Sequence, residues 1–507
     1  MRQLIVFFLL MPALNICAQK PSKKQEKKND PTVFAKTITP GDLKKHLYIV
    51  AGKEMEGRET ATEGQRKAAA YIESQFRSLG LIPGNNGKYQ LPYPVYQDSL
   101  INATVQINDQ SYELDKDFYL SVAQSNTATY RFSEVVFVGN GLVDSTHDDY
   151  KGIDVSGKVV LMLSGGSTQG FSRFSNPRLD AAQKKGAVAV MMVSSNFPRQ
   201  TKSNPKGATY LNAFQKTIRP NLFTISEKMA DAIMSGDYAN AKAGKIRSKT
   251  YNADVLLSFN KNISPLQSSN VLGLLEGTDL KDEYVFITAH YDHLGKRDTV
   301  IWYGADDDGS GTVSVLELAE AFVKAKAAGH GPRRSIVFMT VSGEEKGLWG
   351  SEYYTDHPVY PLEKTTVDLN IDMIGRIDAT RKEGDSMNYV YVVGDDKVSS
   401  DLKTISEATN KKYTLLELDY KFNDPKDPQR IYFRSDHYNF ASKGVPIIFY
   451  YDGMLGADYH KPTDTPDKIY YSLLAKRAQL VFYTAWNMAN RDEMLKRDLK
   501  LEVPRGF

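Results

Sequence analysis

The sequence predicts an α/β protein: a mixed, mostly parallel sheet flanked by helices, preceded in the chain by a smaller inserted α/β module. Three observations predict it. From Asn270 onward, apolar strand candidates alternate with amphipathic helices, the rhythm of a mostly parallel sheet covered on both faces. Between Val159 and Val193 a strand, helix, strand series repeats that rhythm on a smaller scale. Clusters of His, Asp and Glu fall where the later strands end, and open α/β sheets carry their chemistry there.

The chain has 507 residues, 41% hydrophobic and 25% charged, enough for two or three domains with a large core. Its formal charge of +3 is small, and the five lysines between Lys20 and Lys28 exceed it, which argues against a nucleic-acid-binding protein. Eight histidines and many carboxylates leave metal binding open.

Met1–Ala18 reads as a secretory signal: Arg2, an apolar run from Leu4 to Ile16 and the small residue Ala18 at a cleavage position. The run falls short of the roughly 20 residues a membrane-spanning helix needs. Cys17 is the only cysteine, and Asn15-Ile16 before it lacks the small residue of a lipoprotein site, so a cleaved signal is preferred to a lipid anchor. Cleavage after Ala18 leaves no thiol and therefore no disulfide. The expected location is secreted or periplasmic, with no stable membrane anchor.

Residues 19–35, lysine-rich and apolar-poor, are expected to form a disordered linker. From Pro40 the pattern turns helical, with Ala69, Ile72, Phe76 and Leu79 at helical spacing before Gly80. Glu56-Gly57-Arg58-Glu59-Thr60, between the two helices, reads as a polar turn. Short alternating pieces from Ile101 to Leu142 read as strands, and the module continues through Val159–Leu163, a helix opened by Asn176-Pro177 and closed by Gly186, and Ala187–Val193. The inserted region is placed at 101–262 with its core at about 130–240, the first part of the main domain at 36–100, the rest at 263–495, and a tail at 496–507. In the main domain the strand candidates are Val271–Leu275, Tyr284–Ala289, Ser335–Val341, Val367–Ile374, Tyr389–Val393 and Val445–Tyr450. The helix after the triple aspartate puts Val315, Leu318, Ala319 and Phe322 on one face, and the last helix does so with Leu474, Ala478, Val481 and Ala485.

His290 closes a strand, Glu344-Glu345 follows another, Asp372 falls late in a third, and Asp306-Asp307-Asp308 sits between glycines. A catalytic zinc takes His nitrogen and carboxylate oxygen and keeps a position for water. A two-metal hydrolase needs a bridging carboxylate, terminal ligands for each ion and one free base. The sequence supplies that set as His290 and Asp372 for one ion, Glu345 and His460 for the other, and Asp307 as bridge, with Glu344 left free as general base. Read alone, GADDDGSG also suits a calcium loop, but it lacks the acidic residue at the twelfth position.

His290-Tyr-Asp292, Gly304 to Gly311, Glu344-Glu345, Asp372 and His460 together resemble the family-28 zinc metallopeptidases, in particular their secreted bacterial aminopeptidases. The resemblance covers roughly Pro40 to Asn490. It implies the zinc exopeptidase fold, two Zn2+ per chain, a peptide substrate and a cis peptide between Asp307 and Asp308. It also implies that Asp292 holds the far nitrogen of His290 and that the Tyr432 hydroxyl steadies the oxyanion. Gly152–Gly166 and Ala181–Ser195 resemble a protease-associated domain, which implies a module that covers or narrows a cleft.

The expected function is therefore a secreted di-zinc exopeptidase acting on free N-termini. The alternatives are a metallocarboxypeptidase or dipeptidase, for which Arg376 or Arg434 would clamp a substrate carboxylate, a glutaminyl cyclase-like enzyme with one zinc, and a non-catalytic binding ectodomain. Residue preference, oligomeric state and the physiological metal are not legible in the sequence.

Overall fold

A computed structural model of the chain describes residues 30–165, 176–212, 218–424 and 426–502. The expected signal peptide 1–18, with Cys17, and the linker up to residue 29 lie outside them. Among the described residues no helix is long and apolar enough to cross a membrane. The chain divides into two compact units, Met1–Leu91 with Ser269–Phe507, and Pro92–Ser268.

In the first unit the helices are α1 (Pro40–Val50), α2 (Glu63–Ser78), α3 (Gly311–Ala327), α4 (Leu402–Tyr413) and α5 (Tyr471–Asn490). The strands are β1 (Lys249–Leu275, of which Ser269 onward belongs to this unit), β2 (Leu280–His290), β3 (Arg334–Val341), β4 (Thr365–Ile371), β5 (Tyr389–Val393), β6 (Glu417–Asp419) and β7 (Ile447–Tyr451). Helix α1 starts where Thr39 accepts the Asp42 N–H and Pro40 takes the first turn, where no amide proton is needed. The sheet order is β6-β5-β7-β4-β2-β3-β1. The central run β7, β4, β2, β3 is parallel, whereas β1 on β3 and β5 on β7 are antiparallel.

Every residue of β3 and β4 is buried, as strands covered on both faces must be. The helices supply the cover: Phe322 of α3 meets Phe482 of α5 with ring centroids 4.5 Å apart.

Thr32–Ala35, inside the expected linker 19–35, is helical and buries Ala35. In the expected tail, Arg497 donates to the carbonyls of Leu362 and Thr365, and Asp498 accepts from Ser400. Strand β4 ends at Ile371 rather than at Ile374, because Met373 takes a positive φ of 58° and its N–H turns to Asp308 Oδ1 instead of to a neighbouring strand. Asp372 is thereby released at the strand end.

The second unit, Pro92–Ser268, brackets the expected inserted region. Ala128–Phe137, Val159–Leu163, Ala189–Ser194 and Asn221–Ser226 pair in parallel, and residues 249–259 close one edge antiparallel to Ala128–Phe137. Helix Pro177–Lys184 opens where the Asn176 side chain accepts the Leu179 N–H. Among the described residues, the His, Asp and Glu groups close enough to share a metal ion lie in the first unit.

Candidate metal centre

Parallel pairing brings the chemistry together. His290 is the last residue of β2 and pairs with Val341, the last residue of β3; Thr288 pairs with Asn370, two residues before Asp372. The carboxyl ends of β2, β3 and β4 therefore present His290, the Glu344–Lys346 turn and Asp372 at one edge. Asp307 joins them from the turn that opens α3, where the Asp307–Asp308 peptide is cis.

The two oxygens of Asp307 face opposite ways. Oδ1 lies 3.2 Å from His290 Nε2, and that nitrogen is 3.5 Å from Asp372 Oδ1. Oδ2 lies 3.2 Å from His460 Nε2, which is 3.1 Å from Glu345 Oε2. His290, Asp307 and Asp372 offer three donor atoms within 4.8 Å of one another, and His293, Asp307 and Glu345 do the same. Among the described residues, His290 Nε2 and Asp307 Oδ2 are buried without hydrogen-bond partners. Buried polar atoms are nearly always paired, so this set of orphaned nitrogen and oxygen donors fits metal ions and not a hydrogen-bond network.

The electrostatics agree. Burial pulls the His460 imidazolium down, yet Asp307 and Glu345 within reach carry it up to about 10, the mark of a negative pocket that a cation would relieve. Asp307 is held well below the usual carboxylate range, against its burial, by His290, His460 and His293. Glu344 goes the other way: burial, with Glu345, Asp372 and Asp436 adding to it against His290, pushes its carboxyl well above the usual range. Its Oε2 lies 3.9 Å from His290 Nε2, so it stands beside the donor set as a group ready to exchange a proton.

The neighbours of these donors are held in turn. Asp464 accepts the N–H of Asp306 at 3.0 Å and of Asp307 at 3.2 Å, which fixes Asp307 from behind. Asp308 Oδ1 accepts from Gly311 and Met373, joining the start of α3 to the end of β4. His437 belongs to the core: it stacks on Phe449, donates to the Tyr432 carbonyl, and burial lowers it to about 3, so it is neutral. Asp436 accepts the Ser351 hydroxyl.

The geometry bears on two roles carried over from the resemblance. The His290 Nδ1 lies 3.1 Å from the backbone carbonyl of Asp292 and 3.7 Å from its carboxylate, which, against burial, helps to raise the imidazole. The carboxylate has further partners, with Oδ2 accepting from the Thr60 hydroxyl at 2.6 Å and Oδ1 from the Glu344 N–H. Tyr432 is fully buried in an aromatic cluster with Phe433, His437 and Tyr438. The charges that bear on its hydroxyl are those of Tyr438 and Asp396.

Tyr459, not singled out in the sequence, lines the cavity with Asp307, Glu344, Asp372 and Arg434. The charges that bear on its hydroxyl are those of Asp307, Arg434, Glu344 and Glu345, its ring stacks on His460, and its hydroxyl accepts from Arg434 Nη2 at 2.9 Å. Its signal in the sequence was adjacency to His460.

The Glu56–Thr60 stretch is more than a polar turn. Arg58 is fully buried and donates to four backbone carbonyls: Tyr291 at 2.6 Å, Val50 at 2.9 Å, Tyr303 at 2.7 Å and Gly304 at 2.9 Å. It ties the segment between His290 and Asp292 to the one ahead of the triple aspartate. Burial brings its guanidinium down to about 10, still charged at neutral pH.

The model of peptidase family M28 matches residues 270–485. Over 214 residues the chain is 30% identical to a probable leucine aminopeptidase of Arthroderma otae, covering 41% of this chain and 55% of that protein. It is 27% identical over 250 residues to aminopeptidase YwaD of Bacillus subtilis, covering 47% and 50%. A glutamate carboxypeptidase 2 homolog of Caenorhabditis elegans matches at 22% over 429 residues, 68% of this chain and 53% of that protein. The chain thus spans about half the length of the curated relatives it matches. Among solved structures, the aminopeptidase from Aneurinibacillus sp. strain AM-1 superposes with a TM-score of 0.55 at 21% identity, covering 93% of this chain and all of that one. The zinc aminopeptidase BSAP of Bacillus subtilis gives 0.52 at 19%, covering 92% and 98%, and both share the fold. The stretch that matches peptidase family M28, residues 270–485, runs from β1 into α5 and carries the donor set at its strand ends.

Proposed function

We propose that this protein is a zinc-dependent aminopeptidase that holds two zinc ions and removes N-terminal residues from peptides. The observation that carries the reading is the Asp307 carboxylate, whose two oxygens each face a different histidine at 3.2 Å. His290, Asp307 and Asp372 would hold one ion, and Asp307, Glu345 and His460 the other. When bound, the ions supply Lewis acidity to water and to the scissile carbonyl.

The residues of the chain do the rest. Glu344, with its raised carboxyl, takes a proton from the attacking water and returns it to the departing amine. The Tyr459 hydroxyl, in the cavity beside Glu344, donates to the oxygen that becomes negative. Met373, Phe449 and Leu455 give the same cavity an apolar wall, suited to an apolar terminal side chain. The names of the fungal and Bacillus relatives support the aminopeptidase reading.

A carboxypeptidase reading draws support from Arg434 at the cavity and from the nematode relative's name. One experiment separates them. A peptide with a free or an acetylated N-terminus is incubated with zinc-loaded protein, with and without chelator, and the products are weighed by mass spectrometry. Stepwise loss of N-terminal residues from the free peptide alone, stopped by chelator, is the expected result; trimming from the C-terminus would replace the proposal with carboxypeptidase.

Secretion belongs to the same proposal and rests on Met1–Ala18; the mature protein is expected to begin at Gln19, which N-terminal sequencing checks. So does a protease-associated role for Pro92–Ser268, supported by its parallel strand, helix, strand series. Deleting that unit is expected to change the range of peptides accepted, and an unchanged range would remove the role.

A further inference from the structure

His293 stands outside the five donors assigned above, yet it is fully buried beside them. Its Nδ1 lies 2.7 Å from Glu345 Oε1, and among the described residues neither atom forms a hydrogen bond of good geometry with any partner. The other oxygen, Glu345 Oε2, lies 3.1 Å from His460 Nε2, and that nitrogen is 3.2 Å from Asp307 Oδ2. Two ligands held about 2.0–2.1 Å from one tetrahedral zinc stand about 3.3 Å apart. The Oε2, Nε2 and Oδ2 separations suit that geometry. The 2.7 Å contact is too short for it and has the length of a hydrogen bond to a charged oxygen.

The imidazole is held in a built seat. The His293 backbone N–H donates to the Arg58 carbonyl at 3.3 Å, and Glu59 forms an isolated strand bridge with His293. Gly304 backs the ring so closely that a Cβ there would fall 2.4 Å from His293 Cγ. The ring meets His460 edge to face, centroids 5.9 Å apart.

We infer that His293 is a positioning residue: its Nδ1–H engages Glu345 Oε1 and thereby presents Oε2 to the ion shared with His460 and Asp307. Resting on the two-ion reading above, the inference adds that a histidine three residues after His290 sets the affinity of the other ion. The Glu56–Thr60 stretch then acts through His293 by fixing its backbone.

The test compares wild type with His293→Phe, which keeps a ring but has no donor, and His293→Asn, whose amide N–H can reach the place of Nδ1. Bound zinc is counted after dialysis, both affinities are measured by competition with a chromophoric chelator, and the visible spectrum of the cobalt-substituted protein is recorded. Wild type is expected to bind two ions. His293→Phe should keep one and weaken the other about 10–100-fold, with an altered cobalt spectrum, and His293→Asn should recover affinity to within a few-fold. Equal affinities in wild type and His293→Phe would overturn the inference, as would equal losses in the Phe and Asn variants. Fewer than two ions in wild type would overturn the two-ion reading instead. If His293→Phe does not fold, His293→Ala takes its place with the same expectations.

Discussion

The backbone N–H of Glu344 donates to Oδ1 of Asp292 at 3.2 Å, while the Thr60 hydroxyl holds the other oxygen of that carboxylate at 2.6 Å. Asp292 therefore fixes the loop that carries Glu344, the proposed base, in addition to offering its carbonyl to His290. With the loop pinned, the Glu344 side chain can be changed without moving the donors. Glu344→Gln is expected to lower kcat by about 10²–10⁴-fold while bound zinc per chain stays at the wild-type count. Metal analysis beside steady-state kinetics checks it, and wild-type kcat in this variant would remove the assigned base.

Tyr459 and Tyr432 make a paired prediction, because the resemblance points to Tyr432 while Tyr459 is the one that lines the cavity. Tyr459→Phe removes the phenol that stands by the cavity carboxylates and should cost about 10²–10³-fold in kcat, the scale of one oxyanion donor, with KM changed little. Tyr432→Phe removes a hydroxyl that is buried without a partner among the described residues, and kcat should stay within about twofold. The reverse ranking would return the role to Tyr432.

Bound metal should also stabilise the fold. Asp307, Glu344, Glu345 and Asp372 converge on one edge of the sheet, and a ligand that binds only the folded state adds stability with its concentration. Dialysis against chelator is expected to lower Tm by about 5–10 °C, with recovery on adding zinc. An unchanged Tm by calorimetry would mean that these donors do not hold metal tightly.

A pH-dependent term is expected from Glu317 on α3. Burial, with Glu320 and Asp42 adding to it, raises its carboxyl to about 8, beside His46 Nε2 at 3.4 Å. In the unfolded chain the same group titrates near its ordinary 4.5. Between these values the folded state keeps a proton that the unfolded state has released, so stability falls as pH rises through that window. Glu317→Gln should match wild type near pH 5 and exceed it by on the order of 1–3 kcal/mol at pH 8, read from urea midpoints.

Much of the first unit was legible because burial on both faces leaves a plain signature. The strand candidates from Val271 to Tyr450 coincide with β1 to β5 and β7 apart from their ends. His290, Glu345 and Asp372 could be put forward as donors because they fall at or just after strand ends, and Asp307 because it lies in an acidic run between glycines, whereas His460 stood only on its short local motif. Arg58 was not legible: an arginine in a polar stretch looks solvated, and only the fold surrounds it with four carbonyls. The same holds for Leu501, which packs against the core although its neighbours in sequence are charged.

The sequence by itself determined the sheet and its helices, the order of the motifs and the kinds of donor atom available, since periodicity and side-chain chemistry are local properties. Only the tertiary structure decided which oxygen of Asp307 faces which histidine, that Asp292 serves Glu344 and Thr60, that Tyr459 and not Tyr432 stands among the cavity carboxylates, and that His293 meets Glu345. These are contacts between residues up to hundreds of positions apart. They are fixed by strand register and by which polar groups must find partners once water is excluded, and neither is written in any single stretch of chain.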